Sequence, residues 1–244
     1  MRLFGLIGNP LTHSFSKKYF TEKFEREGLM DCRYELFPIA SIEELPKLLR
    51  DHPELCGLNV TIPYKEQVLS YLKEENELVQ SIRACNCIDL RNGRLKGYNT
   101  DVLGFEQSLK QLFQPHHKKA LILGTGGVSK AVRFILQKMG LSYRYVSRKP
   151  GVHSFSYEQL TADVMRQYTL IINTTPLGTY PNITEAPQIP YEALTTDHYL
   201  FDMVYNPTQT LFLKMGADRG AVVKNGYDML EIQADESWKI WSRD

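Results

Sequence analysis

Residues 120–147, ALILGTGGVSKAVRFILQKMGLSYRYVS, contain the pattern that decides the fold of this chain. Residues 120–123 are apolar and predict a buried strand. Apolar side chains then recur at helical spacing over residues 128–139, and Gly140 is placed to end that helix. Residues 142–147 predict the next strand. A strand, a helix and a strand in this order predict a βαβ unit, in which the two strands are parallel.

A glycine-rich turn, residues 124–127, lies between the first predicted strand and the helix. Glycine lets the backbone approach a pyrophosphate closely, and the N-terminus of a helix offers unpaired N–H groups and positive potential. Ser129 stands where the common dinucleotide-binding fingerprint has its third glycine, so a plain strand-to-helix turn explains the motif equally well. A cofactor site here would consist of Gly124, Thr125, Gly126, Gly127 and Val128.

Two cations follow the second predicted strand, in the sequence Ser147-Arg148-Lys149. Folds that bind NAD usually place an acidic residue there for the ribose 2′-hydroxyl. A guanidinium and an ammonium would instead pair with the 2′-phosphate of NADP. Solvated surface charges are the alternative explanation, but the preceding glycine turn favours NADP.

Strands and helices continue to alternate along the rest of the chain, which predicts an α/β protein. Further strands are expected at residues 2–8, 32–39, 57–62, 170–173, 199–204 and 221–223, with a hairpin around Asn92-Gly93. Helices are expected at residues 17–27, 100–113 and 227–241, and another is expected to begin at Pro63 and reach residue 72. Ser41 and Glu44 form a capping-box pattern before a helix that Pro46 should make irregular.

The composition restricts the function classes. Hydrophobic residues occupy 43% of the 244 positions and charged residues 23%, which is typical of a soluble globular protein. The formal net charge of +1 provides no field to attract nucleic acid or an anionic membrane. No apolar run reaches the length of a membrane helix or a signal peptide, and the four cysteines have no zinc-site spacing. We therefore expect a cytoplasmic protein with no metal and with a small-molecule partner rather than nucleic acid or membrane.

Lys65 and Asp101 are the candidate proton-transfer residues. Lys65 falls in the first turn of the helix expected from Pro63, where the helix dipole favours loss of its proton, whereas Asp101 opens a helix whose dipole keeps its carboxylate ionised. Brought together, the two side chains would make a general acid/base with an orienting anion. Taken singly, a surface lysine and a helix-capping aspartate explain them as well.

Several polar residues lie at the ends of predicted elements and suit substrate recognition. Ser14 and Ser16 place two hydroxyls before a helix, which would form a cradle for a carboxylate, although helix capping explains one of them equally well. Four others could bind hydroxyl groups or be ordinary structural polar residues: Thr61, Asn86, Tyr205 and Gln233.

Seven motifs, in this order along the chain, resemble the shikimate dehydrogenase family. They are Gly8-Asn9-Pro10, His13-Ser14-Phe15-Ser16, Asn59-Val60-Thr61-Ile62-Pro63-Tyr64-Lys65, Asn99-Thr100-Asp101, Gly124-Thr125-Gly126-Gly127, Asn173-Thr174-Thr175 and Asp202-Met203-Val204-Tyr205. The resemblance implies an α/β substrate-binding domain at residues 1–100, to which residues 227–244 return, and a Rossmann-like NADP-binding domain at residues 101–226. It also implies reversible NADPH-dependent reduction of 3-dehydroshikimate to shikimate, on the path through chorismate to the aromatic amino acids.

The resemblance further implies a role for each candidate residue. Lys65 and Asp101 would be the catalytic pair, with Asp101 also touching the substrate, and Ser14 and Ser16 would bind its carboxylate. The hydroxyl groups of the substrate would be bound by Thr61, Asn86, Tyr205 and Gln233. The NADP pyrophosphate would lie at residues 124–128, the 2′-phosphate at Ser147, Arg148 and Lys149, and the nicotinamide near Met203 and Gly226.

Three positions depart from the family pattern. Lys17, Cys87 and Asp228 stand where the family usually has proline, threonine and glycine. The alternatives are a quinate/shikimate dehydrogenase with relaxed use of substrate or of NAD, a methyltransferase that binds S-adenosylmethionine at the glycine turn, and an NADP-binding module without catalysis. Either a monomer or a homodimer is compatible with the sequence.

Overall fold

The computed structural model describes residues 1–11, 15–149 and 151–243, apart from the side chain of Asn92. The chain divides into two compact units. Unit 1 comprises Met1–Gly104 and Leu230–Asp244, and unit 2 comprises Phe105–Met229. The boundaries expected after residues 100 and 226 differ from these by a few residues.

The described part of the chain contains twelve strands and eight α-helices. The strands are β1 (Arg2–Gly8), β2 (Cys32–Pro38), β3 (Leu55–Val60), β4 (Glu74–Glu75), β5 (Cys87–Asp89), β6 (Lys96–Tyr98), β7 (Lys119–Leu123), β8 (Ser142–Val146), β9 (Ser154–Phe155), β10 (Leu170–Asn173), β11 (Tyr199–Asp202) and β12 (Val222–Lys224). The helices are α1 (Phe15–Arg26), α2 (Leu45–Asp51), α3 (Glu77–Ile82), α4 (Thr100–Lys110), α5 (Gly127–Lys138), α6 (Ala162–Gln167), α7 (Leu211–Ala217) and α8 (Tyr227–Trp241).

Unit 1 is built on a mixed six-stranded sheet in the order β2-β1-β3-β5-β6-β4. The β1 strand pairs in parallel with β2 and β3, whereas β5 is antiparallel to β3 and β6. Alternate side chains of β1 enter two different cores, because successive residues of a strand point to opposite faces. Leu3 and Ile7 join one apolar cluster, and Phe4 and Leu6 join the other.

The C-terminal residues of α8 are held in the second of these clusters. Trp241 is buried, stacks on Phe4 with ring centroids 5.1 Å apart, and donates its indole N–H to the Ile88 carbonyl at 2.9 Å. Gly57 of β3 makes room for the indole, since a Cβ there would lie 2.3 Å from the Trp241 Nε1 atom. The end of α8 is therefore packed directly on the sheet of unit 1.

Unit 2 is built on a six-stranded sheet, in the order β12-β11-β10-β7-β8-β9, in which all strands are parallel. The strand order reverses between β7 and β10, which is the arrangement of the doubly wound dinucleotide-binding fold. In such sheets ligands bind outside the carboxyl ends of the strands at the reversal point. The prediction of an α/β protein with a Rossmann-like domain is confirmed.

Several local predictions agree with the structure, and one is wrong. The capping box of Ser41 and Glu44 forms, as expected, ahead of an irregular helix. The helix expected from Pro63 is absent: residues 62–66 form turns, and a five-residue 3-10 helix, Gln67–Tyr71, follows. The Lys65 carbonyl accepts from the Cys85 N–H at 2.8 Å instead of from the N–H four residues ahead, so no α-helical ladder forms.

Across the described ranges, no helix has the length and apolar character that would let it cross a membrane.

Candidate active site

Lys65 and Asp101 lie side by side in unit 1. The Lys65 Nζ atom is 2.7 Å from Oδ2 of Asp101, and the two side chains are 31% and 22% exposed. A charge-assisted hydrogen bond of this length holds both groups in a defined position while leaving them accessible to a ligand. The helix-dipole reason given for Lys65 is wrong, because the residue lies in a turn. Its orientation comes from Asp101.

Asp101 is placed by the capping of α4. The Asn99 side chain accepts from the N–H of Val102 at 3.2 Å and donates to the Ala84 carbonyl at 2.9 Å. These contacts fix the first turn of α4, on which Asp101 lies.

The described substrate-binding candidates of unit 1 occupy different environments. Ser14 lies outside the described residues. Ser16 and Thr61 are half-buried at the start of α1 and after β3. Asn86 and Gln233 are buried, and each already has an amide hydrogen bond: Asn86 Nδ2 donates to Oγ1 of Thr100 at 3.0 Å, and Gln233 Nε2 donates to the Leu230 carbonyl at 2.9 Å.

Asn86 belongs to a buried polar network that the sequence did not reveal. The Tyr34 hydroxyl donates to Oδ1 of Asn59 at 2.8 Å, and Asn59 Nδ2 donates to the Ser237 hydroxyl at 3.1 Å. Ser237 in turn lies 3.1 Å from the Thr100 hydroxyl. Burial raises the pKa of Tyr34 well above its ordinary value, against a smaller lowering by the Ser16 hydroxyl. The network therefore extends from α1 to the first residue of α4.

The glycine turn of unit 2 has the geometry of an anion site. Gly124 has a φ of 99°, which favours glycine, and a Cβ there would lie 3.0 Å from the Thr174 hydroxyl at the end of β10. Gly126 caps α5, and a Cβ on either Gly126 or Gly127 would enter open space. Thr125 and Val128 are exposed beside them. The backbone is therefore accessible to a phosphate at the N-terminus of α5.

Ser147, Arg148 and Lys149 directly follow β8, the strand next to β7. Arg148 and Lys149 are exposed, and the Lys149 N–H donates to the Ser147 hydroxyl at 3.2 Å, which orders the start of this loop. The two cations thus lie beyond the carboxyl end of β8, on the side of the sheet where ligands bind in this class of fold.

Met203, Tyr205 and Gly226 lie beyond the carboxyl ends of β11 and β12. A Cβ on Gly226 would be 2.7 Å from the Met203 carbonyl oxygen, so only glycine permits this approach. Tyr205 is 38% exposed. These residues of unit 2 lie at the carboxyl ends of the two strands on the β10 side of the sheet.

Asp202 supports this turn and was not among the predicted site residues. Its carboxylate accepts from the Asn173 amide at 2.9 Å, the Val204 N–H at 3.0 Å and the Thr210 hydroxyl at 2.5 Å. Burial raises the pKa of Asp202 to about 6 despite these three donors. The sequence signals for Asp202 were its position at the end of an apolar strand and its place in the Asp202-Met203-Val204-Tyr205 motif.

Comparison with known proteins identifies the family. A model of the shikimate dehydrogenase substrate binding domain matches residues 6–88. The NADP(+) shikimate dehydrogenase of Halothermothrix orenii is 36% identical over 265 residues, which cover 98% of this chain and 90% of the relative.

Two solved structures have the same fold over 99% of this chain. One is the shikimate 5-dehydrogenase of Thermus thermophilus in complex with NADP(H) and shikimate, with a TM-score of 0.86, 31% identity and 94% of that chain covered. The other is a 5-ketofructose reductase of Gluconobacter sp. strain CHM43, with a TM-score of 0.86, 26% identity and 92% of that chain covered. The extent and identity of these matches show that the chain belongs to the shikimate dehydrogenase family.

Proposed function

We propose that this chain is an NADP-dependent shikimate dehydrogenase that interconverts 3-dehydroshikimate and shikimate on the route to chorismate and the aromatic amino acids. The observation that carries the proposal is the Lys65–Asp101 pair at 2.7 Å, in the unit of the chain that contains the substrate-domain match. We also propose that the protein is cytoplasmic and is a monomer or a homodimer.

Proton transfer is the task of the Lys65–Asp101 pair. When the ketone is reduced, negative charge develops on its oxygen, and Lys65 delivers a proton to that atom. Asp101 holds the Lys65 ammonium in place and contacts the substrate. In the reverse direction Lys65 receives the proton of the shikimate hydroxyl.

The residues of unit 2 fit NADP. The open space over Gly126 and Gly127 would admit the pyrophosphate to the N–H groups that begin α5, and Arg148 and Lys149 would pair with the 2′-phosphate. Met203 and Gly226 would border the nicotinamide, which supplies the hydride when NADPH is bound. Solved relatives bind NADP+ and NADP(H).

Substrate recognition would use both charged and neutral hydrogen bonds. Ser14 and Ser16 would bind the carboxylate of shikimate, and its hydroxyl groups would be bound by Thr61, Asn86, Tyr205 and Gln233. Ser16 and Asn86 are supported by the buried network behind them, so their positions are set before the ligand arrives.

The decisive experiment assays the purified chain for reduction of NADP or NAD with shikimate or quinate, and for oxidation of NADPH with 5-ketofructose. We expect turnover with shikimate and NADP to exceed that of every other combination. A higher kcat/KM with 5-ketofructose would assign the chain to the activity of its 26% identical structural neighbour. No turnover with shikimate would refute the proposal.

The catalytic pair is tested by Lys65→Met and Asp101→Asn, which preserve side-chain size and remove charge. Each should lower kcat by about 10²- to 10⁴-fold, the usual contribution of a positioned acid/base, while shikimate still binds. Because the two act as a unit, the double variant should be no slower than the slower single one. A kcat for Lys65→Met within a few-fold of the parent would remove this residue from the mechanism.

A further inference from the structure

The hydroxyl of Ser237, on α8, is the centre of the buried network. It lies 3.1 Å from Nδ2 of Asn59, 3.1 Å from Oγ1 of Thr100 and 2.9 Å from the Gln233 carbonyl, and its residue is fully buried. The Cys87 thiol also interacts with it. Cys87 stands where the family usually has threonine, and its thiol borders this network.

The chemistry of these groups fixes the direction of each hydrogen bond. An amide nitrogen only donates and a carbonyl oxygen only accepts, so Asn59 donates to Ser237, and Ser237 donates to the Gln233 carbonyl. The single proton of Ser237 is then used, so Thr100 is the donor in the 3.1 Å contact between the two hydroxyls, which is shorter than the 3.3 Å contact of the Thr100 hydroxyl with Oδ1 of Asn86.

The same assignment reaches Asn86. With its proton given to Ser237, the Thr100 hydroxyl accepts from Asn86 Nδ2 at 3.0 Å. The Thr100 backbone N–H donates to Oδ1 of Asn86 at 2.7 Å. The Asn86 side chain is thus held at both ends, and one N–H of its amide has no partner assigned in this network.

We propose that Ser237 is a positioning residue of the substrate site, which acts through Thr100 to hold the Asn86 amide so that it presents one N–H donor to a substrate hydroxyl. The proposal rests on the proposed function, which places Asn86 against the substrate.

The first test replaces Ser237 and a matched serine. Ser237→Ala leaves Asn59 and Thr100 without their shared partner. Ser242→Ala removes an exposed hydroxyl that also bonds the carbonyl four residues earlier, Trp238, but lies outside the network. We expect Ser237→Ala to raise the KM for shikimate about three- to tenfold, the value of one hydrogen bond. The KM for NADP and kcat should stay within about twofold of the parent, and Ser242→Ala should leave all three constants unchanged.

The second test acts on the partner of Ser237 and remains available if Ser237→Ala does not fold. Thr100→Val removes the hydroxyl while preserving shape, and Thr100→Ser restores it without the methyl group. Thr100→Val should raise the KM for shikimate as Ser237→Ala does, and Thr100→Ser should return it to within about twofold of the parent. The Ser237→Ala/Thr100→Val double variant should be no worse than the worse single variant, since both remove one contact.

Three outcomes would overturn the proposal. The first is an unchanged KM for shikimate in a folded Ser237→Ala or Thr100→Val protein, even with a lowered melting temperature. The second is a parallel rise of the KM values for shikimate and NADP. The third is failure of Thr100→Ser to recover binding. A parent protein that turns over no shikimate refutes the proposed function instead, which separates the two failures.

Discussion

The contact between Gly57 and Trp241 gives a stability prediction that can be worked from distances. A Cβ at position 57 would lie 2.3 Å from Nε1, 2.5 Å from Cδ1 and 2.5 Å from Cε2 of the indole, all well inside the 3.4 Å of ordinary contact. Gly57→Ala must therefore displace either the indole or β3. Overpacking of this kind costs about 1–3 kcal/mol of unfolding free energy.

Trp241→Ala removes the ring and provides the comparison. It should cost about 3–5 kcal/mol for the lost buried ring, and about 1 kcal/mol more for the unpaired Ile88 carbonyl. Without the indole, the added methyl of Gly57→Ala has free space. Gly57→Ala should then cost less than about 0.5 kcal/mol in the Trp241→Ala background, because replacing glycine within a strand is itself mildly stabilising.

Urea denaturation followed by far-ultraviolet circular dichroism would measure the four proteins of this cycle. The expected coupling energy between the two positions is about 1–3 kcal/mol, with the double variant less destabilised than the sum of the single ones. An equal cost of Gly57→Ala with and without the indole would show that the glycine is not there to admit Trp241. It would also refute the anchoring of α8 through this contact.

Three further predictions concern cofactor choice, pH and the substrate carboxylate. Replacing Arg148 and Lys149 by neutral residues should raise the KM for NADP far more than that for NAD, and equal effects in steady-state kinetics would refute the pairing with the 2′-phosphate. Folding raises the pKa of Asp202 from 3.8 to about 6, so the folded state is stabilised less as the carboxyl group ionises. Relative to Asp202→Asn, the parent should therefore lose about 2 kcal/mol of unfolding free energy as the pH rises from about 4 to about 6. Urea midpoints of the two proteins that change in parallel with pH would contradict this. Ser16→Ala should weaken shikimate binding by about 1.5–3 kcal/mol if the hydroxyl bonds the carboxylate, whereas a role in helix capping predicts an unchanged KM and a lowered melting temperature.

The strands and helices with strong local patterns could be predicted from the sequence. The β1 and β10 strands and the α8 helix begin and end where their apolar patterns begin and end. The turn at residues 62–66 was missed because the partner of the Lys65 carbonyl, Cys85, lies about twenty residues away along the chain. Local propensity contains no information about such a contact.

The candidate site likewise combines residues that local sequence motifs indicate with contacts between residues far apart along the chain. Motif order and residue chemistry selected Lys65 and Asp101, and the fold brings them to 2.7 Å. The Asn59–Ser237 hydrogen bond joins residues 178 positions apart, and nothing in either local segment indicates that the two are partners. Buried polar partners of this kind become recognisable only when the packing of α8 on the sheet is known.

The approach of Gly226 to the Met203 carbonyl has a consequence for protein engineering. Any side chain at position 226 would collide with backbone, which cannot swing aside as a side chain can, so mutant libraries at this position should yield few folded members. Arg148 and Lys149 are exposed after β8, so substitutions there should leave the fold intact. Directed evolution of cofactor preference should therefore succeed at Arg148 and Lys149, after β8, and fail at Gly226, after β12.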